Sequence, residues 1–495
     1  MSRFNLLLCC IAIGLPLTAQ ANDRLSDYDW PQFRGKRAAG VAERSYLPIK
    51  WNTETYSNVR WKTAMPGLGH ASPIVSGERV FIVTSTSSDP KPSLRVGLYG
   101  DIRSVNDDSI HEWLIYCLDR ETGSILWKRT VHKGVPMIKR HTKATHANST
   151  PATDGRRVVV FLGSEGLYCY DVRGRLCWKN DLGPLDSGFY MVPAAQWGFA
   201  SSPIIYRDIV IVQCDVQKNS FLAAFDLGTG RELWRTPRQD VPTWSTPTIH
   251  EGPDRTELIV NGYKHSGGYD PLTGRELWRI VGGGDIPVPT PIVADGLIYL
   301  ASAHGMKAPL CAVRVGASGE ITPPAEGTST DSVAWYKNRD GTYMQTPLVY
   351  WDNLYACKDN GVLSCYAART GELLYRERLG SGQTGFTASP VAADGKIFIT
   401  SELGEIHVVR AGPRFELLAT NSMGDVCMAT PAISGQFLIV RTKSNVYGIE
   451  DSFGPRDRRV VATHRKSQSL RSCESSGSVR LFHWLLAPMG CNSYH

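Results

Sequence analysis

The sequence contains no apolar run long enough to cross a bilayer. The longest, Leu6 to Leu17, falls well short of the roughly 20 residues that a spanning helix needs. Also absent are Cys-x-x-Cys and His-Glu-x-x-His, so the common zinc sites have no sequence support. His132, His141 and His146 have no compact ligand spacing, and no metal is expected. There is no Gly-x-Ser-x-Gly elbow to expose a serine nucleophile. Gly282-Gly283-Gly284 lacks the lysine and helix of a phosphate cradle and reads as a flexible connection. Amphipathic helical periodicity of useful length is missing too, which leaves an all-β class.

Excess charge is scarce where it would matter. The formal net charge is +7, but residues 451–495 hold seven Lys or Arg against three Asp or Glu. More than half of the surplus therefore lies in that segment, and nucleic-acid binding has no support. The segment is Ser-rich in its middle and is expected to be disordered.

At the other end, one Arg precedes the apolar run, and Ala19-Gln20-Ala21 gives a small-x-small pattern. These features predict a secretory signal over residues 1–21, cleaved after Ala21, and a periplasmic or secreted protein. Twelve cysteines in such a chain would ordinarily suggest disulfides. Cys9 and Cys10 fall within the signal, however, and Cys117, Cys169, Cys311 and Cys365 recur in equivalent short apolar runs. Small buried side chains are the expectation for those four.

What is present is a repeat. "FDLGTGRELWRT" at 225–236 returns as "YDPLTGRELWRI" at 269–280. A Ser-Pro or Thr-Pro pair with Pro73, Pro151, Pro203, Pro247, Pro291, Pro347, Pro390 or Pro431 opens each copy, and the shortest spacings are 41 to 44 residues. That period is the length of one four-stranded propeller blade, and eight anchors predict eight blades. Within a copy, β-branched runs alternate with Gly, Asn and Asp turns. The Asp-x-x-Thr-Gly phrase reads as a hairpin turn, and the Trp after it as a structural side chain between sheets. The eighth copy has only three strands, while "NVRWKTAMPG" around Trp61 is an orphan fourth strand before the first anchor. The expectation is an eight-bladed β-propeller of four-stranded antiparallel blades over residues 59–450. The N-terminal strand, pairing near Tyr447, would close the ring, with residues 22–58 as a lead-in.

These openings and turns resemble the repeat of pyrroloquinoline-quinone (PQQ) type propellers. Such repeats occur in quinoprotein dehydrogenases and in the propeller lipoprotein of the outer-membrane-protein assembly machine. The leading "DWPQFRG" and "WKTAMPGLGHASP" are similar to exported bacterial PQQ-like propellers without assigned chemistry. Resemblance to the dehydrogenases would imply PQQ on a Trp, a calcium held by Glu and Asn, and an Asp base. Trp244 could serve as the stacking floor, and Glu165 or Asn219 could face a cation. The vicinal cysteine pair of many such enzymes has no counterpart outside Cys9 and Cys10.

Three segments are longer than a propeller needs: the insertion after strand two of the first blade, and the connections "HKGVPMIKRHTKATHANS" and "GPLDSGFYMVPAAQWGFAS". All three are expected on one rim. The ligand-binding candidates collected there are His70, His146, Trp197, Trp244, Lys264, His304, Lys307 and Lys358, with His141 and His265 beside them. Convergent positive charge would favour an anionic small molecule or acidic glycan. The first expectation is a non-catalytic scaffold for a ligand or envelope protein. A PQQ and calcium dependent alcohol or sugar dehydrogenase is the alternative, and an envelope assembly factor is a second alternative.

Overall fold

Residues 25–98 and 101–451 are described by the structure, a computed structural model. The expected signal, and all but the first residue of the basic segment, lie outside the described residues. Among these, the strands form eight sheets. No described helix is long and apolar enough to cross a membrane. Blade one is Ile74–Ser76, Arg79–Ser87, His111–Asp119 and Ile125–Gly134, hydrogen-bonded in that order. Blade eight is Ala432–Ser434, Phe437–Arg441 and Asn445–Glu450, with Val59–Ala64 as its fourth strand. Lys62 stands opposite Tyr447 in antiparallel register, so N-terminal chain does close the ring.

The turn phrase has two jobs. In blade three, Asp226 Oδ1 accepts from the amide of Thr229 at 2.8 Å and from its hydroxyl at 2.7 Å, which fixes the hairpin. Gly230 takes φ +76, and a Cβ there would stand 2.7 Å from the indole of Trp178 in the preceding blade. The same indole donates to the Leu227 carbonyl at 3.0 Å. Trp127, Trp234 and Trp335 donate in the same way to Val172, Pro271 and Ala368. Each Trp thus seats on the next blade's turn, burying a large ring while satisfying its N–H.

Blade five departs from this scheme. Its third and fourth strands are joined by a long segment instead of the Asp-x-x-Thr-Gly turn. Gly319–Ile321 of that segment pairs parallel to Glu276–Val281, giving blade four a fifth strand. With no turn to meet, Trp278 donates instead to buried Glu257 at 2.6 Å. The repeated cysteines Cys117, Cys169, Cys311 and Cys365 are buried and free, and burial pushes the Cys117 thiol up to about 12.

The lead-in is part of the core. Trp30 pairs with Val75 of blade one, the Pro31 carbonyl accepts from Thr153 of blade two, and Ala42 donates to Ala392 of blade seven. Between them Arg34, fully buried, donates to the carbonyls of Pro347 at 3.0 Å and Pro390 at 2.7 Å, at the openings of blades six and seven. This short stretch therefore runs across the ring from one side to the other.

Candidate functional site

The Ser/Thr-Pro openings face the axis. The Thr150 hydroxyl accepts from the Ser72 amide at 2.9 Å, Ser202 from Thr150 at 2.9 Å, and Thr246 from Ser202 at 3.0 Å. On the far side Thr346 accepts from Thr290, Ser389 from Thr346 and Thr430 from Ser389, each at 3.0 Å. The inner strands belong to separate sheets and do not pair edge to edge, so the hydroxyl spans the gap and gives their first amides an acceptor. The motif that marks the repeat thus ties neighbouring blades together around the channel.

Within this belt lies a cavity of about 720 Å³. Phe33 of the lead-in contributes to its wall, and all eight belt hydroxyl residues line it. The three long segments meet on it as well, through Leu98 and Ile102, His141 and Lys143, and Phe189 and Trp197. The three segments, expected on one rim, each supply residues to this cavity.

Of the candidates, His70, Trp197, Trp244, His304 and Lys358 line the cavity, as does His141. His146, Lys264 and Lys307 do not, and neither does His265. Lys307 is exposed beside Gly282, and the Lys264 amide donates to Asp240. His265 is buried against Arg238 and Tyr269, and burial lowers it to about 4. His146 turns away to meet the edge of the His111 ring, 4.7 Å between centroids. Glu165 and Asn219 are likewise off the wall.

An aromatic array forms one side. Phe189 stacks on Trp197 at 5.7 Å and an interplanar angle of 4°, Trp244 lies 5.6 Å from Trp197, and His304 meets Phe189 edge-on at 5.8 Å. The ring nitrogens are anchored: Trp197 donates to Ile102 at 2.9 Å, and Trp244 donates to Gly198 at 2.8 Å. His304 sits at φ +81 and is half exposed, with Tyr343 5.8 Å away. Burial holds His70 at about 4, and its Nε2 lies 2.9 Å from the Lys143 carbonyl. The carbonyl can only accept, so neutral His70 carries its proton on Nε2.

Glu402, which sequence reasoning did not select, is the most constrained group on the wall. Its side chain is 1% exposed and accepts from Lys143 Nζ at 2.7 Å, from the Gly97 amide at 2.7 Å and from the Thr387 hydroxyl. One carboxylate of blade seven thus gathers the blade-one insertion and the blade one-to-two connection. Arg339, Tyr343 and Phe33 also line the cavity and were not expected. None stands in a recurring phrase, and only their convergence in space marks them. The wall carries Lys143, Arg339 and Lys358 against Asp101, Asp359 and Glu402, so its cations do not outnumber its carboxylates.

Residues 111–306 match a family model, PQQ_2, described as outer membrane protein assembly factor BamB. Tetrathionate hydrolase of Acidithiobacillus ferrooxidans is 25% identical over 276 residues, 49% of this chain and 51% of that protein. The chain therefore spans about half the length of this curated relative. Among solved structures, the quinohemoprotein alcohol dehydrogenase of Comamonas testosteroni is similar at a TM-score of 0.60 and 12% identity, over 85% of this chain and 80% of that one. A europium-containing methanol dehydrogenase is similar at a TM-score of 0.57 and 14% identity, over 85% of this chain and 91% of that one. At such identities the likeness concerns the fold alone. The repeat is thus matched over residues 111–306 to the PQQ_2 model, within eight blades closed around one axis.

Proposed function

We propose that this is an exported binding propeller, periplasmic or secreted, whose central cavity takes a small organic anion with a flat apolar part. The observation that carries this reading is the aromatic array of Phe189, Trp197 and Trp244 on a cavity wall that also holds Arg339 and Lys358. Glu402 is already matched by Lys143, and Asp101 by Arg103 at 3.0 Å. Arg339 and Lys358, with Asp359 beside them, are left to meet a ligand's charge, while the rings offer stacking area. The reading is non-catalytic.

The cofactor of the structurally similar dehydrogenases is a second reading, and the donor set does not fit it. A calcium ion needs carboxylate oxygens with open lone pairs. The buried carboxylate of this wall, Glu402, already holds an ammonium group and two further donors. Trp244 is packed against Trp197, and Glu165 and Asn219 lie elsewhere.

The test is a titration with benzoate, naphthalene-2-carboxylate and indole-3-acetate, followed by tryptophan fluorescence and calorimetry. Saturable one-to-one binding, weakened at least tenfold in Trp244→Ala and reduced in Lys358→Ala, is expected. Absence of saturable binding, or indifference to Trp244→Ala, overturns the proposal. The same assay takes two further probes. Turnover of tetrathionate, the substrate named for the curated relative, would replace binding with hydrolysis. Alcohol-dependent dye reduction after addition of PQQ and calcium would replace it with oxidation.

A further inference from the structure

Outside the cavity wall, Asp107, His111 and His146 bring one carboxylate oxygen and two imidazole nitrogens within 4.8 Å of one another. Asp107 and His111 close the blade-one insertion, while His146 belongs to the connection into blade two, so the cluster is assembled only by the fold. We infer that these three side chains form a binding site for a divalent transition metal of the zinc type, joining two segments that build the mouth of the cavity.

The chemistry of each group suits this role. Asp107 Oδ2 lies 3.2 Å from His111 Nε2, close to the roughly 3.4 Å that separates two ligands on a tetrahedral zinc with bonds near 2.0 to 2.1 Å. The other nitrogen of His111, Nδ1, stands 3.1 Å from the hydroxyl of buried Ser85. If Nδ1 donates to that hydroxyl, Nε2 presents its lone pair to the metal, the usual outer partner of a ligating histidine. His146 contributes the second ring, standing at a steep angle to His111 with 4.7 Å between the ring centroids. Trp113, packed on both rings at 5.7 and 6.1 Å and donating to the His146 carbonyl at 2.7 Å, holds the two histidines in place.

Two imidazoles and one carboxylate are a set that suits zinc and related ions, leaving a fourth position for water. The site reaches the cavity only through the chain. His146 is three residues from Lys143, whose ammonium meets Glu402, and the insertion that ends in Asp107 and His111 also carries Gly97 and Ile102. Occupancy would therefore fix the insertion to the connection and order the mouth. It requires no reaction and no particular cavity ligand, so its test stands apart from that of the binding reading.

The experiment uses the full chain, stripped with a chelator and titrated with zinc chloride by calorimetry, with unfolding followed by circular dichroism and the bound metal by X-ray absorption at the zinc edge. One zinc per chain with micromolar or tighter affinity is expected, together with a raised unfolding temperature and an absorption spectrum showing two imidazoles. Asp107→Asn and His146→Ala should each weaken binding at least tenfold and abolish the rise in unfolding temperature. Zinc binding that is unchanged in both variants overturns the assignment, as does a spectrum without paired imidazoles. The spectrum of the unaltered protein decides the matter even if a variant fails to fold.

Discussion

The indole N–H of Trp61 donates to the carbonyl of Arg120 at 2.8 Å, the contact by which Trp178 seats on Leu227 in the body of the ring. The interface between blade eight, which the N-terminal strand completes, and blade one is therefore built like the others. Gly123 completes it at φ +69, where a Cβ would stand 2.5 Å from the Trp61 ring. Arg441 crosses the same seam, fully buried, with its guanidinium on the carbonyls of Ala71 and Val83.

Loss of the Trp61 ring should accordingly loosen blade eight from blade one. Trp61→Ala is expected to cost about 3–5 kcal/mol, the range for deleting a buried aromatic. Trp61→Phe should cost less, chiefly the hydrogen bond. Gly123→Ala should destabilise through both the positive φ and the clash with the ring. Denaturant unfolding monitored by circular dichroism measures all three.

Glu402 should behave as a clasp. Glu402→Ala leaves Lys143 without its carboxylate and the Gly97 amide without an acceptor, and a loss of about 3–5 kcal/mol is expected for breaking a buried pair. The sharper readout is local. Limited proteolysis should cut the insertion between residues 88 and 110 faster in the variant than in the parent, at temperatures where both remain folded.

The half-buried histidine of the wall, His70, makes an acid-labile contribution. His70 titrates at about 4 when folded and near 6.5 when unfolded, because burial disfavours the charged ring. Between those values the unfolded chain binds a proton that the folded one refuses. Its contribution is therefore intact above about pH 6.5 and is lost as pH falls toward 4, with a slope of up to about 1.4 kcal/mol per pH unit. His70→Gln, which keeps a donor for the Lys143 carbonyl, should flatten the pH profile of unfolding free energy by that slope. An unchanged profile would mean that the ring is solvated.

Arg34 holds the lead-in across the ring. Arg34→Met removes the donors to Pro347 and Pro390 and leaves those carbonyls buried without partners, at about 1–3 kcal/mol each. Protease cleavage between residues 25 and 58 should appear in the variant before global unfolding. If it does not, the main-chain pairing of Trp30 and Ala42 suffices to keep the segment in place.

Blade number, blade order and the closing strand were legible because each rests on a local phrase that must recur. A hairpin turn of this kind needs a Gly at positive φ, as at Gly230, Gly274 and Gly371, and Trp178 or Trp234 needs a turn to sit on. The exception was not legible for the same reason. Blade five lost the phrase, so nothing in the line of residues announced that Gly319–Ile321 would lie beside blade four or that Trp278 would find Glu257. The lead-in likewise reads as an approach to the ring, although Arg34 occupies its interior.

The candidate site divides along a similar line. The long segments could be recognised by length, and aromatic Trp197 and Trp244 by type, and both reach the cavity. His146 sits in the same segment as His141 yet points to the other side, since residues five apart in an irregular connection share no fixed face. Sequence alone determined the repeat, its count and its closure, because turn chemistry and strand alternation act over a few neighbouring residues. Only the tertiary structure decided which side chains share the cavity, that Glu402 would meet Lys143, and that Asp107, His111 and His146 would converge. Those contacts join residues from separate loops or separate blades, and their distances are set by the curvature of the whole ring.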